Sequence, residues 1–354
     1  MVVENVSGGE IAFFVLPLAL DLPIVQAPMA GSQGSALAVA VSSAGGLGSL
    51  PAAMLTPAAL RAEMSALAAQ TARPYNVNFF CHAAPPPDPA RDEAWRAMLA
   101  PYYAELGVSP ASSPGGGRAP FDDESARVVT ELKPAVVSFH FGLPAEPLLR
   151  TVKAAGCTVL ASATTIEEAR WLEARGADAI IAQGLEAGGH RGSFLSDDLT
   201  RQMGTLALLP QIVRAVSIPV VAAGGIADAP GVRAALALGA AAVQVGTAYL
   251  LCPEATTSGV HAAALTGLTA HHTAVTNVFT GRPARGIVNR LMRDLGPLRT
   301  DVPAFPSAYP AVARLRTAAE STGSGDFSPL WAGQNTTGCR REPAGALTRR
   351  LAGA

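Results

Sequence analysis

Charge is scarce in this chain. Only 15% of its 354 residues are charged, and the formal net charge is −1. No cluster of Lys and Arg occurs, which argues against nucleic acid as the main partner, because binding a phosphate backbone needs such clusters. Cysteine is scarce too. Cys81, Cys157, Cys252 and Cys339 lie far apart and form no C-x-x-C pair. That argues against a structural zinc site or a disulfide framework and fits a reducing compartment. Long apolar runs are absent, none reaching the roughly 18 residues of a membrane span. Ile11 to Leu20 is apolar but short, contains Pro17, and follows Glu4 and Glu10, where a signal peptide needs positive charge. The expectation is a cytoplasmic protein with no membrane segment. No G-x-S-x-G, Walker loop or strand-linked G-x-G-x-x-G is present.

What the chain has is apolar residues, 49% of the total, enough to bury a large core. Short apolar runs recur at Ile24–Ala27, Gly46–Leu50, Val77–Phe80, Ala135–Phe139, Cys157–Ala161, Ala179–Ala182, Ile218–Ala222 and Ala241–Val245. Their continuous Val/Ile/Ala character suits parallel strands buried on both faces. Helix punctuation separates them. Thr165-Ile-Glu-Glu168 is a capping-box pattern closed by Gly176, and Asp228 precedes Pro230 in a helix start that ends at Gly239. Eight strand–helix repeats predict an α/β fold, a (β/α)8 TIM barrel.

The third crossover is too long for one helix. Residues 85–134 are read as an insertion after strand three, helical over Ala90–Gly107 and loose around Gly115-Gly116-Gly117, on the catalytic side and of lid-like character. Residues 1–252 then form the barrel core. Residues 253–354 form a C-terminal extension, mostly helical over 253–300 and packing on the barrel.

In such barrels, functional residues follow the C-terminal ends of the strands. Gln183-Gly-Leu-Glu-Ala-Gly-Gly-His-Arg-Gly192 follows strand six and concentrates an amide, a carboxylate, an imidazole, a guanidinium and four glycines. Glycine lets the backbone approach a ligand closely. His190 is the leading catalytic candidate, because imidazole exchanges protons near neutral pH. His140 is a secondary one; His82, His261, His271 and His272 read as solvent, insertion or loop residues. Glu186 and His190 have metal-like spacing, but Gly188-Gly189 disfavours the helix such a site needs, so no metal is expected. Gly224 and Gly225 after strand seven, with Gly246 and Thr247 after strand eight, fit a phosphate cradle. The cradle alone does not name its ligand. FMN would need amides at its ring edge, which Asn78, Gln183 and Gln244 supply, and an apolar face, which Pro28-Met29 supplies.

These elements together resemble the FMN-containing class I of the nitronate monooxygenases, formerly 2-nitropropane dioxygenases. The resemblance rests on residues 26–31, 45–48, 76–80, 101–107, 137–142, 183–192, 222–226, 244–247, 281–286 and 330–334. It implies an FMN-binding barrel in which Asn78, Gln183, Gly188, Gly225 and Gln244 with Val245, Gly246 and Thr247 contact the flavin. Met29 and the Trp331–Gln334 segment would line it, and His190 matches the catalytic histidine. The implied reaction is oxidation of an alkyl nitronate by O2 to a carbonyl compound and nitrite, with propionate 3-nitronate as the substrate. Arg191 would assist or sit exposed on its loop. The family tail usually has a lysine where this chain offers only Arg314 and Arg316. Rival readings are a flavin-dependent enoyl-acyl carrier protein reductase, a flavin-free phosphate-binding lyase or isomerase, and a barrel that only binds a partner. A homodimer is compatible with the sequence.

Overall fold

The computed structural model describes residues 16–110 and 118–354. Gly115-Gly116-Gly117 and the first part of the Ile11–Leu20 run lie outside the described residues. The parallel strands come in the order β1 (Ile24–Gln26), β2 (Gly48–Pro51), β3 (Tyr75–Phe80), β4 (Val136–His140), β5 (Thr158–Ala163) and β6 (Ala179–Gln183). After a two-residue strand that stands apart, β7 (Gly189–His190), come β8 (Val220–Ala223) and β9 (Ala242–Val245). Pairing runs β1-β9-β8-β6-β5-β4-β3-β2. The two ends meet, since Gln26 N–H donates to Leu47 O at 2.9 Å and Leu47 N–H to Ile24 O at 2.8 Å. The sheet is therefore closed, and the fold is the (β/α)8 TIM barrel read from the apolar runs.

The strands are mostly apolar because each buries both faces, with buried polar side chains such as Gln26, Ser49, Asn76, Asn78 and Ser138 set among the apolar ones. Val25, Leu47, Val136, Leu160, Ile181 and Val221 fill the barrel interior. Their neighbours Ile24, Val137, Val159, Ile180, Val220 and Val243 pack outward under the helices. Leu16, with Leu18 and Leu20, joins the interior cluster, which places the end of the Ile11–Leu20 run in the barrel core.

The barrel helices are α1 (Ser35–Ser43), α2 (Pro57–Gln70), then α3 (Pro89–Leu106) within the insertion, α4 (Asp123–Leu132), α5 (Glu146–Ala154), α6 (Ile166–Ala174), α7 (Thr205–Ala215) and α8 (Ala229–Ala237). Their caps are those the sequence signals. Thr165 Oγ1 accepts from Glu168 N–H at 3.2 Å, and Asp228 Oδ1 accepts from Gly231 N–H at 2.8 Å.

The extension carries α9 (Gly259–Thr266), α10 (Arg290–Leu295), α11 (Tyr309–Ser321) and α12 (Ala344–Ala352). It is not mostly helical over 253–300. Strands β10 (Thr273–Thr276) and β11 (Ala284–Ile287) pair antiparallel, and β11 pairs with β7. The ladder is completed across a long sequence separation, so local pattern does not announce it. Helix α3 docks on this extension. Trp95, Leu99, Tyr102 and Tyr103 share a buried cluster with Phe279, Leu291, Val312, Leu315 and Phe327. Helix α12 returns to the barrel. Leu347 and Leu351 join Leu37, Val41 and Val232 in the cluster between strands and helices. Tyr249 Oη lies 2.9 Å from Thr348 Oγ1 beneath it. It supplies the helix that follows β9. Among the described residues no helix is long and apolar enough to cross a membrane.

Candidate active site

A cavity with about 180 Å³ of solvent-accessible space opens at the C-terminal ends of the strands. A single water needs only about 10–15 Å³ by that kind of measure, so the space suits a ligand rather than isolated waters. Beneath it lies a layer of buried polar side chains. Gln26 Oε1 accepts from Ser49 N–H at 2.9 Å, Asn76 Nδ2 donates to Ser49 Oγ at 3.0 Å, and Asn78 Nδ2 donates to Ser138 Oγ at 2.9 Å. These bonds fix the interior edge of β1 to β4 under the cavity.

The loop after β6 is held from below by Arg191. The expectation of an exposed arginine fails: Arg191 is fully buried. Its guanidinium donates to Gln183 O at 2.8 Å, Gly184 O at 2.9 Å and Gln202 Oε1 at 2.7 Å. Gln183 braces the same loop, donating through Nε2 to His190 O at 3.0 Å and accepting from Gly192 N–H at 2.8 Å. Glu186 faces away from any metal role, accepting from Thr205 N–H at 2.8 Å. Among the described residues no cluster of metal ligands occurs. Gly188 is needed for close approach, since a Cβ there would lie 2.5 Å from Gly333 N. The loop thus packs directly on the 330–335 segment.

His190 projects from β7, where it pairs with Ala284 of β11. Its ring is ringed by aromatics, with Phe305 at 5.3 Å and Trp331 at 5.5 Å between centroids, and Phe141 and Phe80 slightly farther. His190 Nε2 lies 2.9 Å from Thr280 Oγ1, and that hydroxyl donates onward to Arg282 O at 3.4 Å. The threonine oxygen therefore accepts from Nε2–H, which leaves the Nδ1 lone pair unprotonated. Burial, with help from Arg118, His140 and Arg282, holds the His190 pKa well below the ordinary value. The ring is neutral at physiological pH.

His140 positions rather than reacts. Nε2–H donates to His190 O at 3.1 Å, so Nδ1 accepts from Ser162 Oγ–H at 3.0 Å. Burial pulls its pKa down to about 3. His82 lies in the loop after β3, as expected, but is buried rather than solvated, and His261 is buried on α9 rather than in a loop. His82 packs edge-on against Phe305 at 4.8 Å, and His261 Nε2 donates to Trp331 O at 3.1 Å.

The cavity brings together Pro28, Met29, Asn78, Gln183, Gly188, His190, Gly224, Gly225, Gln244, Gly246, Thr247 and Trp331. Two expected residues are not in its lining. Val245 is buried in the packing behind β9, and the Gln334 side chain is exposed. Asn335 lines the cavity instead, and its Nδ2 donates to Gly225 O at 3.1 Å. Gly224 and Gly225 have φ of +119° and +72°, conformations that L side chains rarely adopt. The Gln244 Oε1 atom is buried without a hydrogen-bond partner. Phe80, from the 76–80 element, also lines the wall, as do Ser162 and Arg118, which carried no motif signal. The lining contains Arg118, His140 and His190 but no Asp or Glu.

Comparison with known proteins adds an independent line. The family model described as nitronate monooxygenase matches residues 16–351. A nitronate monooxygenase from Pseudomonas aeruginosa is 45% identical, over 96% of this chain and 97% of that protein. Among solved structures, nitroalkane oxidase from Streptomyces ansochromogenes superposes with a TM-score of 0.87 at 43% identity, covering 95% of this chain and 96% of that one. FabK from Thermotoga maritima superposes with a TM-score of 0.67 at 27% identity, covering 95% and 92%.

Proposed function

The chain belongs to the nitronate monooxygenase family, and from that premise we propose that it binds FMN and oxidises alkyl nitronates with O2 to a carbonyl compound and nitrite. Propionate 3-nitronate is the proposed physiological substrate. Overall, two nitronates consume one O2: each nitronate carbon gains one of its oxygen atoms, the C–N bond breaks, and nitrite leaves with the negative charge.

The cavity walls suit FMN. The buried Gln244 Oε1 lacks a partner and matches a donor at the ring edge. Pro28 and Met29 offer an apolar face. Gly224 and Gly225, just before the N-terminus of α8, offer backbone donors to a phosphate. When bound, the flavin would supply the electron-accepting chemistry that no side chain provides.

The observation that carries the reading is the wall around His190: Arg118 and Arg282 act on it, and the cavity lining holds no carboxylate. Such a site favours an anion. A nitronate is already the deprotonated form of a nitroalkane, so it needs no base. His190 is neutral, and its free Nδ1 lone pair is the group that would take the proton of a neutral nitroalkane, a step the anionic nitronate does not need. The aromatic ring of side chains excludes water around it.

Replacing His190 tests this. His190→Asn is predicted to lower oxidation of a neutral nitroalkane by about 10²- to 10⁴-fold, the usual size of a lost proton-transfer group. Oxidation of the preformed nitronate should fall by a much smaller factor. Equal losses on both substrates, or no loss on either, would contradict the role given to His190.

A further inference from the structure

Arg118 is a buried cation without an acid. It is 8% exposed, lines the cavity, and pairs with no carboxylate among the described residues. Its guanidinium lies 4.7 Å over the Tyr309 ring, a cation–π contact that anchors it from behind. Two residues on, Pro120 bridges to Phe80 of β3, and Phe121 N–H donates to Phe80 O at 2.8 Å. The Phe80 ring neighbours the His190 ring at 6.3 Å. Arg118 is therefore pinned close to His190 on the same cavity wall.

Arg316 pairs with Glu320 at 2.8 Å, and Arg282, whose Nε has no hydrogen-bond partner among the described residues, does not line the cavity. Arg282 stacks over Phe141 at 4.0 Å and donates to Ser193 O. Burying a charge is costly unless something pairs with it. Among the described residues no such partner faces Arg118, and its place in the cavity lining points to the ligand as the source of the negative charge.

Resting on the nitronate reading above, we propose that Arg118 binds a carboxylate on the substrate, and so selects nitronates bearing a second, carboxylate anion over uncharged alkyl nitronates. The nitronate end lies toward His190, and Arg118 takes the carboxylate by a planar, two-pronged hydrogen bond. Propionate 3-nitronate, with one methylene between its two anions, has this chemistry. Propyl-1-nitronate lacks the carboxylate.

The test compares those two substrates across wild type, Arg118→Met and Arg118→Lys. Arg118→Met should raise KM for propionate 3-nitronate by about 10- to 100-fold, the size of a lost charged hydrogen bond. The ratio of kcat/KM between the carboxylated and uncharged substrates should fall with it, and Arg118→Lys should restore part of that ratio. A second measurement uses wild type alone, in case the methionine variant does not fold. There 3-nitropropionate should compete with propionate 3-nitronate far better than 1-nitropropane does. Equal losses on both substrates, or equal competition by the two nitro compounds, would overturn the assignment of Arg118 alone. Wild-type protein that oxidises neither nitronate would overturn the functional reading, and this assignment with it.

Discussion

Arg191 satisfies three acceptors at once from a fully buried position: the carbonyls of Gln183 and Gly184 and the amide oxygen of Gln202. Lysine has no planar fork and cannot span the three. Arg191→Lys would leave buried acceptors unpaired, at about 1–3 kcal/mol for each. The predicted result is a clear drop in thermal midpoint together with weaker nitronate oxidation, because the loop carrying His190 loses its floor. An unchanged midpoint would count against this role. Much of the site is legible at this scale because glycines and polar side chains stand out against apolar strands. Gln183, His190, Gly224, Gly225 and Gln244 all line one cavity. Arg118 and Thr280 were not legible. An arginine next to a Pro/Gly/Ser-rich stretch and a threonine in the extension carry no local mark, and only the fold brings them beside His190. The burial of Arg191 was hidden for the same reason, since its three acceptors come from folding of the loop on itself and on Gln202.

The strands could be read because each is buried on both faces and so is predominantly apolar. All eight expected runs fall within two residues of the strands that form. The caps at Thr165 and Asp228 could be read because a side chain bonding the third residue on is a local event. Strand β7 could not. It has two residues, and its only support is β11, nearly a hundred positions away. The return of α12 was equally hidden, since nothing in Ala344–Ala352 names the strands it will cover. The helix read over Ala90–Gly107 does form as α3, but its apolar face is covered by the extension, through Trp95 and Phe279 among others. That docking ties the insertion to the segment that carries Thr280 and Trp331.

The whole molecule keeps several histidines neutral inside it. Burial is the chief cause in each, taking His140 to about 3 and His261 to about 4, from 6.5. Folded values below the unfolded one mean stability that is fully present above pH 6.5 and is lost as the pH falls toward the folded values. By pH 5 each of these two histidines should cost the native state about 2 kcal/mol, near 4 together. Urea unfolding at pH 7 and at pH 5 checks this, and equal stabilities would contradict it. The scarcity of charge that opens the sequence has its counterpart here. The chain has few ionised groups, and among the described residues its cavity lining holds one cation, Arg118, and no carboxylate, suited to an anionic ligand.

The measurement that bears most directly on the account follows nitrite and O2 together while purified protein acts on propionate 3-nitronate. Nitrite should appear in proportion to nitronate consumed, with O2 uptake, and turnover should halt when O2 is removed. Nitronate left unconsumed by flavin-loaded protein, or nitrite released at the same rate without O2, would contradict it.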